Sequence, residues 1–396
     1  EKLTHLSVMS NAFGSGFLTP NMRSGLSLMN RIANSGNNVA LAQDLQDIIS
    51  EISVYATQAQ ADVIMRQLIG ESLVNVAAVA ATTVLKSQGV VFNRLDRIRE
   101  IELDTLTPPA AGTGVEPNRV WAGGFGVWTE ADNRNHVYGY DYSGGGVALG
   151  YDRKVDAAPG LRVGVSMAYA AGEMRGKDSR THVDTSTIGF GAYGSYLLPN
   201  NVFFDANVGY ANTGNEYDID LYPSGKKTGE FTIHSWQFGV RGGAVIQANN
   251  VQVIPSIGVR YLHYKQEGFR DTIRSNDWPS SVANHYARKT EDQWDIPLQV
   301  KVNGTFNTGP AIITPELRLG YTFAAKKPDY AMNVGFVGSD DTARIVGARA
   351  YGNSFQAGTG VKVNTGGPFD AFVNYDLDVT DGYRTHKASA GVGVEF

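Results

Sequence analysis

The groups in this chain that could do chemistry are seven histidines, one serine in a glycine context, and a dense run of charges between residues 93 and 102. His5, His136, His182, His234, His263, His285 and His386 are scattered, with no HExxH pair and no cysteine to complete a zinc set. Gly164-Val165-Ser166-Met167 begins like a nucleophile elbow but lacks the closing glycine. No GxxxxGK[ST] loop occurs, so the chain has no nucleotide-hydrolysing phosphate cradle. The residues therefore predict no catalysis, no metal and no cofactor.

The charge run is the informative cluster. It reads Asn93-Arg94-Leu95-Asp96-Arg97-Ile98-Arg99-Glu100-Ile101-Glu102 and closes a segment from Glu71 to about Asp104 that Gly89 alone interrupts. The first half of that segment is apolar, through Leu73, Val74, Val76, Ala77, Ala78 and Val79. As a helix it would be roughly 50 Å long, more than the roughly 30 Å of a hydrocarbon slab, but its charges forbid contact with lipid. It fits either a solvated face in a soluble domain or a polar helix inside a polar lumen. The elements that follow decide between these.

From residue 119 onward, apolar and polar residues alternate in strand-length stretches. In Trp294 to Asn303, Trp294, Ile296, Leu298, Val300 and Val302 face one way and Asp295, Pro297, Gln299, Lys301 and Asn303 the other. In Ile313 to Phe323, Ile313, Pro315, Leu317, Leu319, Tyr321 and Phe323 oppose Thr314, Glu316, Arg318, Gly320 and Thr322. Alternation and turn chemistry give twelve strands: Arg119 to Thr129, Gly139 to Asp152, Gly160 to Ala171, Thr185 to Leu197, Val202 to Thr213, Phe231 to Ile246, Val251 to Tyr264, Glu291 to Thr305, Ile312 to Phe323, Ile345 to Val363, Phe369 to Leu377 and Lys387 to Phe396. A soluble sandwich could show the same dyad, so the connections carry the decision. Tight turns such as Pro199-Asn200-Asn201 and Asn307-Thr308-Gly309-Pro310 alternate with longer polar links, notably Glu216 to Glu230 and Lys265 to Thr290. Short links at one end and long ones at the other are the mark of a transmembrane β-barrel. The expected fold is an all-β transmembrane barrel of twelve antiparallel strands, closed, with an N-terminal α-helical segment whose last helix threads the pore.

Composition agrees with this. Mean hydropathy is −0.21 and no run of about 18 apolar residues occurs, which argues against a helical membrane protein but not against a barrel with a polar lumen. The 46 glycines include in-strand clusters at Gly123, Gly124 and Gly126 and at Gly144 to Gly146, as close packing inside the barrel would need. A net charge of −5 leaves no basic footprint for nucleic acid. The inward positions Arg162, Arg241, Arg260, Lys301, Glu316, Arg318 and Asp370 form a mixed lumen wall that could pair with Arg94, Asp96, Arg97, Arg99 and Glu100 of the helix. Glu316 and Asp370 read as wall rather than as an acid/base pair.

Ahead of the long helix, Leu41, Leu45, Ile48, Ile49, Ile52 and Tyr55 recur at helical spacing, and a run through Val63, Met65 and Leu68 ends at Gly70. Two short amphipathic helices are expected there. The opening Glu1-Lys2-Leu3 has neither a charged n-region nor an apolar h-region, so a signal peptide and further sequence are expected upstream in the precursor.

Several segments together resemble the C-terminal part of autotransporters, the type V secretion proteins. Thr19-Pro20-Asn21-Met22, Gln67-Leu68-Ile69-Gly70-Glu71 and Phe92-Asn93-Arg94-Leu95 look like the region before the translocator. Val120-Trp121-Ala122-Gly123-Gly124-Phe125-Gly126, Gly139-Tyr140-Asp141-Tyr142 and Gly146-Val147-Ala148-Leu149-Gly150-Tyr151-Asp152 resemble the family's opening hairpin, and Ala390-Gly391-Val392-Gly393-Val394-Glu395-Phe396 its last strand.

The resemblance implies an outer-membrane translocator in a Gram-negative bacterium that exports its own upstream passenger and anchors it at the cell surface. It divides the chain into a surface-exposed helical passenger end (1–70), a pore helix (71–104), a linker containing Thr107-Pro108-Pro109 (105–118) and the barrel (119–396). It also implies a monomer in contact with outer-membrane lipid, periplasmic chaperones and the barrel-assembly machinery, with Val392, Val394 and Phe396 as the assembly signal. Some members cut the passenger at an Asn-Asn pair in the pore helix; only Asn93 stands here, so self-cleavage is not carried over. Some carry a lipase passenger, but residues 1 to 37 hold no Asp-x-x-His to complete such a site. A porin plugged by its N-terminal helix and a surface adhesin remain the alternative readings.

Overall fold

The alternating stretches become a single closed sheet. A computed structural model describes residues 4–103, 118–348, 352–365 and 367–396. The barrel strands are β1 (Asn118–Ala131), β2 (Tyr140–Lys154), β3 (Leu161–Gly176), β4 (Thr181–Leu197), β5 (Val202–Asp220), β6 (Lys226–Ala244), β7 (Val251–Gln266), β8 (Lys289–Gly304), β9 (Ile312–Lys326), β10 (Ser354–Asn364), β11 (Phe369–Thr380) and β12 (Tyr383–Glu395). Each pairs antiparallel with its sequence neighbours. Closure comes from β1 against β12, in register from Arg119↔Glu395 to Ala131↔Tyr383. A closed barrel leaves no sheet edge, which a bilayer requires because lipid cannot hydrogen-bond a bare backbone.

The two faces sort as the alternation predicts. On β9, Leu317 and Leu319 are 63% and 58% exposed on the outside, while Glu316 and Arg318, at the alternate positions, are buried. The same outward row runs through Val163, Val165, Met167 and Tyr169 on β3 and Val300 and Val302 on β8. Apolar bands of this extent are lipid-facing surface.

Before the barrel come α1 (His5–Phe13), α2 (Pro20–Ser35), α3 (Val39–Tyr55), α4 (Gln58–Leu68), a short 3-10 turn (Glu71–Leu73) and α5 (Val76–Leu103). Four helices thus stand where the sequence reading expected two. The expected long helix starts at Val76 rather than Glu71, because Gly70 turns the chain through a left-handed residue (φ 71°) and Glu71 is drawn aside by Asn21 and Arg66. Leu41, Leu45, Ile49 and Ile52 line the buried side of α3 as their spacing predicts, but Tyr55 at its end is 81% exposed. The linker expected over 105–118 lies outside the described residues except at Asn118.

Two loop expectations are corrected. The tenth strand begins at Ser354, not Ile345, because Thr342–Val346 instead pairs with Ala331–Phe336. That pair joins Asn284–Tyr286 and Phe269–Arg270 in a separate four-stranded sheet above one end of the barrel. The polar stretch Glu216 to Glu230 is mostly strand, since β5 and β6 stay paired out to Asp220↔Lys226.

The helices pack on this upper layer: α2 lies against Thr342–Val346 and α3 against Ser280–Val282. Met22, Leu26, Met29, Leu41, Leu45 and Ile49 share one buried cluster with Tyr286, Val334 and Phe336 of the upper sheet. Polar contacts fasten the junction. Lys227, itself fully buried, donates to the Gln67 carbonyl (2.8 Å) and to Asn284 (2.6 Å), whose amide donates to the Leu68 carbonyl (3.1 Å). The last carbonyls of α4, which no helical N–H can reach, thereby gain partners from the barrel side.

Candidate functional site: the helix-filled lumen

α5 enters the barrel with its charged end beside the start of β1 and the end of β12 and its apolar end under the helical layer. The stretch Glu71–Glu100 is long and apolar enough to cross a membrane by composition alone, yet its helical part, from Val76, runs inside the barrel. Near its start, Asn75 donates to the Tyr138 carbonyl (3.0 Å) and accepts from the Ala348 N–H (3.0 Å). One turn and more below, Thr82 meets the Tyr383 hydroxyl (2.6 Å) and Thr83 donates to Tyr142 (3.2 Å). Gln88 donates to Asn207 (3.0 Å) against Gly239, where a Cβ would come within 3.0 Å of the Gln88 amide. Glycine on the wall thus admits the helix closely, as in-strand glycines should.

The charged half is locked on several sides. Asp96 receives Arg241 of β6 (2.6 Å), Lys301 of β8 (3.1 Å) and Arg99 from its own helix (2.9 Å). Arg99 reaches Asp205 of β5 (2.9 Å) and Ser195 (3.0 Å), with its guanidinium 3.5 Å from the Phe203 ring centroid. Glu100 takes Lys301 (2.5 Å), Lys362 of β10 and Asn303 (3.2 Å). Arg94 bridges Asp152 of β2 (3.4 Å) and Asp370 of β11 (3.6 Å), and Arg97 pairs with the same Asp370. Asp152 is further held by Arg162 (2.9 Å) and by the Tyr193 hydroxyl (3.0 Å), which itself accepts from the Trp121 indole (2.7 Å).

Charges this deeply buried cost desolvation, so they contribute little to net stability, but removing one partner of a pair costs several kcal/mol. What such a network supplies is position: one height and one rotation of α5 satisfy all the pairs at once. The arrangement can therefore hold a helix across the lumen and fill it.

Of the wall residues singled out in the sequence, Arg241, Lys301 and Asp370 meet α5 directly, and Arg162 does so through Asp152. Arg260 instead pairs across the wall with Asp295 (3.3 Å), and Glu316 and Arg318 pair with each other, with Lys362 (2.7 Å from Glu316) and with Asp376 (2.7 Å from Arg318). Asn93 faces an open space beside the helix. Val392 and Phe396 are exposed on the outer face of β12, and Val394 shares that side by alternation. The sequence reading missed Asp152, Asp205, Lys362 and Asp378, the last of which pairs with Lys86 of α5 (2.9 Å), although all sit at inward positions of strands. Among the described residues, no group of three or more His, Cys, Asp or Glu is placed to hold a metal.

One family model matches: the autotransporter beta-domain, over residues 120–376. The chain belongs to that family. As an autotransporter β-domain it is an outer-membrane translocator barrel. It is similar to outer membrane protein A of Rickettsia rickettsii, 22% identical over 276 residues, a match covering 66% of this chain and 12% of that protein. The homologue in Rickettsia conorii matches at the same identity with 13% of its length covered. The chain thus spans about an eighth of the length of the curated relatives it matches. Among solved structures, the translocator domain of the autotransporter NalP from Neisseria meningitidis superposes with a TM-score of 0.60 at 14% identity, covering 79% of this chain and 98% of that one. The beta domain of the Bordetella autotransporter BrkA gives 0.52 at 16% identity, covering 71% of this chain and all of that one. At such identities the autotransporter likeness in structure shows the fold, and the family match carries the membership.

Proposed function

We propose that the chain exports an N-terminal passenger across the outer membrane and anchors it at the cell surface. The observation that carries this reading is the polarity of α5. Its C-terminal residues lie at the end of the barrel where β1 begins and β12 ends, and its N-terminal residues lead into helices seated on the opposite, elaborated end. In an outer-membrane barrel, short turns face the periplasm and longer loops face outward, which supports a cell-surface position for residues 4–70. Anything upstream of Glu1 then lies outside too. Extensive pairing of α5 with the wall favours a plug left at the end of export over an open porin.

Insertion would depend on periplasmic chaperones and the assembly machinery, with the outward row Val392, Val394 and Phe396 as the signal. The domain would act as a monomer. An epitope tag placed behind a signal peptide and ahead of Glu1, probed on intact Gram-negative cells, tests the export reading. A protease-sensitive surface epitope supports it. An epitope reached only after outer-membrane lysis turns it toward a porin with a periplasmic N-terminal domain.

A further inference from the structure

α5 does not sit on the barrel axis. Through its middle it packs chiefly on β1 to β7, and a cavity of about 170 Å³ remains between it and the opposite wall. At roughly 30 Å³ per water in the liquid, that space holds about five waters, or a small ion with part of its hydration shell.

Among the charged groups of its lining, cations outnumber carboxylates. Lys86, Arg241, Arg260, Arg318 and Lys387 border it against two carboxylates, Asp376 and Asp378. Both carboxylates are already engaged: Asp378 with Lys86 (2.9 Å) and Asp376 with Arg318 (2.7 Å). Arg241 and Arg260 likewise hold Asp96 and Asp295. Lys387 is the exception. It is 4% exposed and lies directly across the β11–β12 ladder from Asp376, whose Oδ1 has gone to Arg318. Among the described residues Lys387 has no ion pair and no hydrogen bond. Its ammonium reaches α5 at Gly89, 3.1 Å from where a Cβ would stand, so the one glycine of that helix stretch is where the lysine fits.

A buried ammonium whose nearest carboxylate, Asp376, is already engaged by Arg318 is unfavourable, and a small anion in the cavity beside it would offset that cost. We propose that this cavity is a binding site for a small inorganic anion, held by the Lys387 ammonium with the Arg260 and Arg318 guanidiniums as flanking charge. The site is independent of the direction of export. It requires only that α5 stay in the lumen.

Bromide is the probe, applied to the full chain in detergent with gluconate as the replaced anion at constant ionic strength. Anomalous scattering from crystals in bromide is expected to show an ion in this cavity for the wild type and for Lys387→Arg, and none for Lys387→Met. In solution, bromide should raise the wild-type thermal midpoint saturably, and that rise should fall to less than a third in Lys387→Met. If Lys387→Met does not fold, the wild-type map alone decides. An empty cavity at saturating bromide, bromide on the outer surface only, or an equal midpoint rise in Lys387→Met would each overturn the site.

Discussion

Asp96 of the pore helix and Arg241 of the barrel wall meet at 2.6 Å in the buried lumen, and the same guanidinium holds Asp205 at 2.5 Å. A helix residue, its wall partner and a neighbouring strand are thus tied through one cation. Asp96→Ala leaves Arg241 and Lys301 short of counter-charge, at an expected cost of about 3–5 kcal/mol to the docked helix. Because Asp96 and Arg241 share partners, the double variant Asp96→Ala/Arg241→Ala should lose less than the two single losses summed. Thermal unfolding of the four proteins checks this; strict additivity would mean the pair does not position the helix.

Removing the plug is a blunter test of the same relationship. Deleting 71–103 should raise single-channel conductance in planar bilayers severalfold, since α5 lies in the lumen with its side chains paired to the wall. Conductance equal to that of the intact chain would show that the helix does not occupy the lumen in the membrane.

Asn284 fastens α4 to the barrel side. Its amide serves the Leu68 and Gly335 carbonyls (3.1 and 3.2 Å) and its oxygen accepts from buried Lys227. Asn284→Ala strands these groups at about 1–3 kcal/mol for each one left buried and unsatisfied. Residues 4–70 should then be clipped by dilute protease under conditions where the barrel and the wild-type helices survive. Unchanged cleavage would place the hold elsewhere.

The first helix carries a pH dependence. His5 is 3% exposed, its Nδ1 has no hydrogen-bond partner among the described residues, and burial lowers its pKa from the ordinary 6.5. The folded state therefore favours neutral imidazole while the undocked helix takes up a proton near 6.5, so docking stability is full above that value and is lost as pH falls below it. Amide exchange in His5–Phe13 should be faster at pH 5.5 than at 7.5 after correction for intrinsic rates, and His5→Leu should remove the difference. A difference that persists in His5→Leu would assign the dependence to another group.

How far the sequence carried depends on which forces act locally. Trp294 to Asn303 and Ile313 to Phe323 were legible because a strand facing lipid on one side and water on the other must alternate. α2 left a usable signal that was passed over: Thr19 caps the Met22 N–H (3.2 Å), Pro20 follows at the first turn, and Gly36 closes it at φ 70°. Thr342–Val346 reads as part of the tenth strand from its own residues, and only pairing with Ala331–Phe336 takes it away. Arg162 and Asp370 could be placed inward by parity. Their partners could not, because the height and rotation of α5 come from the whole network at once. Inward parity alone would also have flagged Asp152, Asp205 and Lys387.

The lipid-facing row makes a separate prediction. Leu319→Arg on the outer face of β9 should cost about 2–4 kcal/mol if it lies near the bilayer midplane, whereas Thr308→Arg in the β8–β9 turn should be close to neutral. Folding yield in lipid vesicles against urea reads both. Equal tolerance of the two would deny that this band faces hydrocarbon.

The central claim is that the chain before α5 lies outside the cell while the β8–β9 turn lies inside. The chain has no cysteine, so single-site thiol labelling is free of background. Tyr55→Cys and Thr308→Cys, both at exposed positions, would be treated in intact cells with a membrane-impermeant maleimide. Export predicts that Tyr55→Cys labels at once and Thr308→Cys only after the outer membrane is permeabilised; the reverse pattern would contradict it.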